Sequence, residues 1–410
     1  GTKKELRELE IQYADYALWQ KKLEQEGALD DQIKYWKKRL SGNLPILNFP
    51  TDKPRPAVQT YNGRKIQVAV PEKLLKKLKA YAENENATLF MVLFAAFNVL
   101  LYKYTGQTDI ILGSPIANRS RKDIEGLIGF FTNNIVLRTV FTEDIDFQSL
   151  LKIVKKETLE AYSNQDVPFE KLVEELHVER NMSRNPVFQF LFGMQNTPMP
   201  NKVFSDIYVS YMDIDGGYSR FDLSVDVHET GDGLILDYEY NTDLFNDDTI
   251  IRFAGHYNHL LAELMRNPQE RINKIEILTD EDKEILSKLN DTERTFDSAS
   301  FIELFERQAK ISPDAIAAES GNEKLTYREL DEISNKLANY LISLGAAPET
   351  IIAIYMERSV RMLVGLLGIL KSGAAYLPLD PIYPKERIKL MLEDADVKLI
   401  LSEQQLYDSL

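Results

Sequence analysis

The chain has 410 residues, too many for one hydrophobic core, and this length fits two or three domains. Its net charge of −15 argues against nucleic acid and anionic membranes as partners, because both attract clustered basic residues. The sequence has no cysteine, which excludes disulfides, thiolate nucleophiles and cysteine-based zinc sites. The polar N-terminus lacks a signal-peptide core, and the longest apolar run, residues 89–102, is too short for a membrane span. We therefore expect a soluble, cytoplasmic protein.

The first part of the chain predicts helices before a sheet begins. Apolar spacing favours helices over residues 5–25 and 29–40, and a proline-rich extended segment follows at 45–56. Three aromatic residues share one face of the first helix: Tyr13, Tyr16 and Trp19. Such a stripe more often packs than reacts. The next predicted elements are a strand at 65–70, a helix at 73–81, a buried helix at 89–102 that Thr88 caps and Gly106 follows, and a strand at 109–116.

Residues 127–138, LIGFFTNNIVLR, form the stretch around which the rest is organised. They predict a strand entered through Gly129, a backbone position that tolerates no side chain. Asn133 and Asn134 lie among apolar neighbours, and a buried amide needs hydrogen-bond partners. The two asparagines therefore either knit the backbone together or line a wet cavity.

The following elements alternate between helix and strand. Helices are predicted at 149–162, 170–176 and 247–265, a polar turn and alternating strand at 180–192, and two or three strands at 203–239 with a hairpin turn at 231–233. The segment NQDVPFE, residues 164–170, predicts an extended turn that Pro168 caps and Phe169 anchors. This mixture indicates an α/β or α+β sandwich up to about residue 275.

The composition changes at residues 277–298, which are charged and predicted to be weakly structured, so we place the domain boundary there. Two capping boxes then open helices: Ser300 with Glu303 and Thr326 with Glu329. Buried strands at 350–356, 374–379 and 397–401 alternate with helices at 359–371 and 384–394. This alternation predicts a parallel, doubly wound sheet, which is expected to be incomplete because the chain ends after its third strand.

Six segments together resemble one family. YADYALW from Tyr13, IGFFTNNIVLR from Ile128, NQDVPFE from Asn164 and RNMSRNPV from Arg180 resemble, in this order, the later core motifs of nonribosomal peptide synthetase condensation domains. LTYREL at 325–330 and LKSGAAYLPLD at 370–380 resemble the first two core motifs of adenylation domains. Between them, LSKLNDTE at 286–293 resembles the linker that joins the two domains in those synthetases.

The resemblance implies an α/β protein. It predicts the C-terminal lobe of a chloramphenicol-acetyltransferase-like condensation domain at residues 1–276, with a mixed sheet and helices. A linker at 277–298 and an incomplete parallel α/β adenylation subdomain at 299–410 follow. The parent would join a carrier-bound aminoacyl or peptidyl thioester to an acceptor aminoacyl thioester, in peptide antibiotic biosynthesis. Its implied cofactors are carrier-borne phosphopantetheine, ATP and Mg²⁺, and its implied partners are carrier protein domains.

The sequence also departs from the family. The condensation hallmark HHxxxDG is absent, since His177, His228, His256 and His259 include no adjacent pair. The phosphate loop of adenylation domains does not occur before Leu410. We therefore expect no catalytic residue, metal or bound cofactor in this fragment, and inactivity when it is alone. The alternative function is a non-catalytic platform for carrier and domain docking. The partners expected to be missing are an N-terminal lobe, docking on an exposed apolar face, and the rest of the adenylation domain.

The resemblance also proposes residues for the substrate tunnel or lobe interface: Asn133, Asn134, Asp166, Arg184, Asn185 and Asp222. Asp166 either holds its turn by accepting backbone N–H groups or faces the active site. Arg184 and Asn185 precede Pro186, which favours a structural turn over a carrier or pantetheine contact. Asp222 either pairs with Arg220 or another cation, or lies on the tunnel wall. Other motif residues are expected to be structural: Tyr13, Asp15, Trp19, Gly129, Arg138, Pro168, Phe169, Tyr327, Gly373, Tyr376, Pro378 and Asp380.

Overall fold

The computed structural model describes residues 9–119, 121–142, 144–178, 181–195, 203–204, 207–208, 215–295 and 298–407. The chain divides into two compact units, Gly1–Asp291 (unit 1) and Thr292–Leu410 (unit 2). The described helices of unit 1 are α1 Tyr13–Gln25, α2 Asp30–Arg39, α3 Glu72–Asn84, α4 Leu89–Thr105, α5 Phe147–Ser163, α6 Phe169–Leu176, α7 Asp247–Arg266 and α8 Asp280–Asn290. Its described strands are β1 Gly63–Pro71, β2 Asp109–Ile116, β3 Asn133–Val140, β4 Phe190–Gln195, β5 Val203–Phe204, β6 Ile207–Tyr208, β7 Leu223–Thr230 and β8 Gly233–Asn241.

Six strands of unit 1 form a mixed sheet in the order β1-β8-β7-β4-β2-β3, as the resemblance predicted. The central strand β4 runs parallel to β7 and β2, whereas the other neighbours are antiparallel. Helices α3, α4, α5 and α7 pack on one face and bury its apolar side chains in a single core. The opposite face, which we call the open face, carries most of the sheet's polar side chains because residues alternate between faces.

The buried helix α4 follows from its sequence. Thr88 accepts a hydrogen bond from the Met91 backbone nitrogen at 3.2 Å, and Gly106 ends the helix with a φ of 70°. Its twelve buried residues confirm the prediction of a helix covered on most sides. No single described helix is long and apolar enough to cross a membrane; α3 and α4 meet that criterion only as a pair bent by 105°.

Three predictions in unit 1 need correction. Helix α1 begins at Tyr13 and not at residue 5, because Gln12 is extended and donates its backbone N–H to the Asp15 carboxylate at 2.8 Å; residues 1–8 lie outside the described part. Strand β3 begins at Asn133, since the preceding residues pack as a loop on α1. Residues 187–193 are continuously buried and not alternating, because β4 lies in the centre of the sheet.

The linker prediction was wrong for residues 280–290, which form helix α8. A capping box between Thr279 and Asp282 opens it. The Asp282 carboxylate also lies 2.8 Å from Nε2 of the buried His256, whose Nδ1 lies 2.7 Å from the Tyr104 hydroxyl. This chain of hydrogen bonds ties the first turn of α8 to α4 and α7, so charge alone was a poor guide to disorder here.

Unit 2 follows its sequence signals closely. Its described helices are α9 Phe301–Ile311, α10 Tyr327–Ser343, α11 Val360–Lys371, α12 Lys385–Asp394 and α13 Gln404–Tyr407, and its described strands are β9 Ile316–Ser320, β10 Glu323–Thr326, β11 Ile351–Tyr355, β12 Ala375–Leu379 and β13 Leu399–Ser402. Both predicted capping boxes are present. Strands β12, β11 and β13 form the predicted parallel sheet. The hairpin β9–β10 was not predicted.

Candidate functional site

Asn133 joins the organising stretch to the NQDVPFE turn. Its side-chain nitrogen donates to the backbone oxygens of Gln165 and Val167 at 3.1 and 2.9 Å. Its side-chain oxygen accepts from the backbone nitrogens of Asn134 and Phe169 at 2.9 and 3.0 Å. The amide is therefore engaged on both sides by the backbone, which is the knitting alternative; a place for Asn133 in the tunnel stays a prediction.

Gly129 is a place of close approach, as the sequence predicted. A Cβ added there would lie 2.3 Å from Cδ2 of Tyr13, far inside van der Waals contact. The Tyr13 hydroxyl donates to the backbone oxygen of Phe130 at 2.9 Å, and the buried Tyr16 ring lies 4.8 Å from that of Phe131. Helix α1 is therefore fixed on the loop that leads into β3.

Asp166 differs from the favoured prediction. Its carboxylate accepts a hydrogen bond from the side-chain nitrogen of Gln32 at 2.8 Å, and not from backbone N–H groups of its own turn. Its backbone nitrogen donates to the same glutamine at 3.1 Å. Asp166 is exposed and docks the turn on α2, because a glutamine amide satisfies both groups at once. Its role in the active site stays a prediction.

Asp222 pairs with Arg55, one of the two alternatives that the sequence left open, and not with Arg220. Both guanidinium nitrogens reach the carboxylate, one at 2.9 Å and the other closer, and one also donates to the Ser183 backbone oxygen at 3.2 Å. Asp222 is 4% exposed. A bidentate pair of this kind is rigid and specific, so Arg55 holds the RNMSRNPV turn against the start of β7.

Arg184 and Asn185 lie in that turn. The Arg184 backbone nitrogen donates to the Asn181 oxygen at 3.3 Å, and the Asn185 side chain donates to the Arg220 oxygen at 2.7 Å. The structural-turn interpretation therefore describes their backbone. Both residues also line a cleft of about 710 Å³, so the turn does not exhaust what their side chains contact.

The remaining motif residues of unit 1 make packing and capping contacts. Arg138 forms a bidentate ion pair with Asp109, at 2.9 and 2.7 Å. Asp15 caps α1, and Trp19 lies under the Arg121 guanidinium, 4.8 Å from its ring centroid. Pro168 precedes the first residue of α6, and the Phe169 ring lies 5.2 Å from that of Phe188.

The motif residues of unit 2 lie at ends of elements or on an outer strand. Tyr327 opens α10, and its ring centroid lies 5.9 Å from that of Phe305. Gly373 has a φ of 82°, a left-handed conformation that favours glycine, where the chain turns from α11 into β12. Tyr376 and Pro378 are exposed positions of β12, and Asp380 accepts the Ile382 backbone N–H at 3.0 Å.

The open face holds a polar cluster that sequence reasoning missed. Asp226 and Asp237 are register partners on β7 and β8. Nε2 of His228 and Nζ of Lys65 lie 3.4 and 3.7 Å from the Asp237 carboxylate, and Gln195 donates to Asp226 at 3.3 Å. Burial raises the pKa of Asp226 above its ordinary value. The i, i+2 spacing of polar residues in the neighbouring strands was the signal in the sequence.

Asn134 lies on this open face as well. Its register partner in β2 is Pro115, whose ring approaches the Gly193 backbone next to the Asp226 carboxylate. The tunnel candidates thus fall into separate groups: Asn134 with the open-face cluster, Asn133 and Asp166 at the NQDVPFE turn, and Arg184, Asn185 and Asp222 at the RNMSRNPV turn.

Large apolar side chains are exposed around α1 and the loop before β3. Ile128 is 95% exposed, Phe130 71% and Leu18 68%. Isolated apolar residues are common on surfaces, but a group of this kind marks an interaction surface. Within the described residues, no group of three or more histidine or acidic side chains has the arrangement of a metal site, and this includes His256 and His259.

Comparison with protein families gives two matches along the chain. A model described as "Condensation domain" matches residues 1–287, and one described as "AMP-binding enzyme" matches residues 305–409.

Curated relatives cover the whole chain. A linear gramicidin synthase of Brevibacillus parabrevis is 43% identical over 414 residues, which are 100% of this chain and 8% of the relative. Gramicidin S synthase 2 of Brevibacillus brevis is 41% identical over 98% of the chain and 9% of the relative. Bacitracin synthase 3 of Bacillus licheniformis is 40% identical over 98% of the chain and 6% of the relative. The chain therefore spans less than a tenth of the length of these relatives.

Solved structures share the fold. A four-domain nonribosomal peptide synthetase bound to AMP and glycine has a TM-score of 0.85 at 24% identity, over 93% of this chain and 30% of that one. The X-domain from teicoplanin biosynthesis has a TM-score of 0.62 at 26% identity, over 67% of this chain and 64% of that one. The same X-domain in complex with OxyB has a TM-score of 0.60, over 67% of this chain and 62% of that one.

Proposed function

The chain belongs to the condensation-domain family of nonribosomal peptide synthetases and continues into an AMP-binding enzyme, and from this premise we propose that its parent protein forms peptide bonds between carrier-bound thioesters. In this reaction the acceptor amine attacks the thioester carbonyl, the thiol of the donor arm leaves, and the amine proton passes to that thiol. The proposed partners are carrier protein domains. Phosphopantetheine, ATP and Mg²⁺ are proposed for the parent, and we assign no residue of this chain to ATP or Mg²⁺.

We propose the domain boundaries that the sequence suggested: condensation lobe 1–276, linker 277–298 and adenylation domain 299–410. The family matches end at residue 287 and start at residue 305, and the compact units divide after Asp291. Helix α8 would then be a part of the linker that is docked on the lobe through Asp282.

The observation that carries the proposed reaction is the polar open face of the mixed sheet. Amide formation needs an amine held in line with the carbonyl, and positioning supplies much of the rate. Asn134 and Gln195 bring neutral amide groups to this face, and Asp226 brings a carboxylate whose raised pKa makes it a better proton acceptor than an ordinary aspartate. We propose that these residues position the acceptor amine.

A condensation assay tests this proposal. Two loaded carrier proteins are mixed with the chain alone, or with a condensation N-terminal lobe added as a separate polypeptide, and dipeptidyl carrier is read by intact-protein mass spectrometry. Product only with the added lobe supports a half-enzyme. Product from the chain alone would overturn the expectation that the missing histidine motif is required.

The second candidate is a docking platform without catalysis. It is favoured by the X-domain, a structural relative solved in complex with another protein, and by the absence of the HHxxxDG motif from this sequence. The exposed group around Ile128 and Phe130 is the surface that we propose for the missing N-terminal lobe. No product in either arm of the assay, with binding of the added lobe demonstrated, would leave this function as the better one.

A further inference from the structure

The cleft beside the RNMSRNPV turn is the largest described cavity that the proposed reaction does not use. Its volume is about 710 Å³, and it lies between the segment after α2, the end of α6 and the turn before β4. One wall is apolar, with Leu44, Ile46 and Met182 among its residues. The other is polar and includes Asn181, Asn185 and Arg184. A cleft of this size and mixed character suits a small molecule with a polar head and a flexible stem.

Arg184 supplies the charge of this cleft. Burial and the neighbouring Arg55 lower the pKa of its guanidinium, and Asp222 offsets this only in part because that carboxylate is already paired with Arg55. Within the described ranges, no carboxylate lies within ion-pair distance of the Arg184 side chain. A half-buried guanidinium in this position attracts an anion, and its planar fork matches phosphate oxygens.

The turn that carries Arg184 is strained. Val187 is buried and has a φ of 68°, which is a rare conformation for a β-branched residue, and the Phe188 backbone nitrogen donates to the Pro186 oxygen at 2.8 Å across it. Arg55 holds this turn from behind through the Ser183 oxygen. Strain of this kind persists where surrounding contacts over-determine the backbone, and it clusters at ligand sites.

We propose that this cleft binds a phosphate ester, with the phosphate on the Arg184 guanidinium and an aliphatic or amide-bearing stem along the Leu44 and Ile46 wall. The side-chain oxygen of Asn181 accepts from Ser183, which leaves its amide nitrogen as a second donor. The phosphate chemistry rests on the cleft alone. Its source as the phosphopantetheine of a carrier rests on the proposed function, and a free nucleotide is the other source of the same group.

The test measures binding of free phosphopantetheine to the 410-residue chain by phosphorus NMR. Pantetheine without the phosphate and AMP serve as comparison ligands. We expect Arg184→Gln to weaken binding by about tenfold or more, because a charge-assisted hydrogen bond is lost. Arg184→Lys should keep part of the affinity. The matched control is Arg266→Gln, which removes an exposed arginine that pairs with Glu263 in α7, and it should bind like the unmodified chain.

Each outcome decides the inference. Tighter binding of phosphopantetheine than of AMP assigns the carrier-borne source, and the reverse order assigns a free nucleotide. Equal binding of pantetheine, unchanged binding by a folded Arg184→Gln variant, or no binding by the unmodified chain would overturn the phosphate site. Condensation activity is measured separately with the two-carrier assay, so failure of the proposed function would leave the phosphate result standing, and the converse holds as well.

Discussion

Unit 1 and unit 2 differ in how far apart in sequence their polar anchors lie. In unit 1 the Arg55–Asp222 pair joins residues 167 positions apart, and the Tyr257 hydroxyl reaches the Leu93 backbone across 164 positions. In unit 2 the capping boxes span three residues, and the Lys371–Asp331 pair spans 40. Local anchors form as soon as a helix forms, whereas distant ones form only with the tertiary fold. Unit 1 should therefore lose more stability from a single polar substitution than unit 2.

The largest expected effect is that of Asp222→Ala in unit 1. It leaves the Arg55 guanidinium without its carboxylate at a site where Asp222 is 4% exposed. Breaking a buried pair in this way costs about 3–5 kcal/mol. Urea unfolding followed by tryptophan fluorescence measures it, because both tryptophans, Trp19 and Trp36, lie in unit 1. Asp232→Ala, in the exposed hairpin turn, is the control. A loss no larger than that of the control would refute the long-range anchor.

Asn133→Ala is expected to cost less, about 2–3 kcal/mol, because it leaves backbone groups of the NQDVPFE turn and β3 without partners. The neighbouring Asn134→Ala removes the same side chain but none of these contacts, so it is the matched control. The measurement is the same fluorescence-detected unfolding. Equal effects of the two substitutions would mean that Asn133 does not hold the turn.

Lys371→Met probes the exception in unit 2. This lysine is almost fully buried, and its ammonium donates to Asp331, Ser334 and Asn335 at 2.6, 2.9 and 2.9 Å. We expect a cost of about 1–3 kcal/mol, because α10 and α11 lose their polar connection. Hydrogen exchange of amides in 327–343 and 360–371 measures it. Lys336→Met, on an exposed face of α10, is the control. Exchange in Lys371→Met as slow as in this control would show that unit 2 depends on local anchors alone.

The same difference explains what the sequence could predict. Capping boxes, the buried helix α4 and the parallel strands of unit 2 depend on neighbours within a few residues, and they were predicted with small errors at their ends. The partner of Asp222 could not be chosen between Arg220 and a distant cation, because only the tertiary fold brings Arg55 close. For Asp166, local turn chemistry was expected, and a distant glutamine took its place.

The candidate site shows the same limit. The sequence offered Asn134 but no reason to group it with Asp226 or His228, since these residues lie about 90 positions later and meet it only through the sheet order. Helix α8 was also missed, because its charged sequence exposes most of its residues and its one firm attachment is to His256, in the preceding helix.

The smallest expected effect on global stability is that of Asp282→Asn, which tests this attachment. The Asp282 carboxylate accepts from the Thr279 backbone and hydroxyl at 2.9 and 2.7 Å and faces His256. Burial opposes the charge, but hydrogen bonds from Thr279 and His256 outweigh it and lower the pKa of Asp282 to about 2. A lowered pKa means that this contribution is complete above the ordinary aspartate value of about 3.9 and is lost as the pH falls towards 2.

Because α8 buries none of its residues, we expect Asp282→Asn to cost about 1 kcal/mol or less in global unfolding while its amides exchange faster at neutral pH. Hydrogen exchange at residues 280–290 measures this. The unmodified chain should show the same acceleration between about pH 4 and pH 2, after correction for intrinsic exchange. Asp280→Asn, in the same first turn but away from His256, should leave the exchange unchanged. Equal protection in both variants would place α8 among local anchors and narrow the contrast between the units.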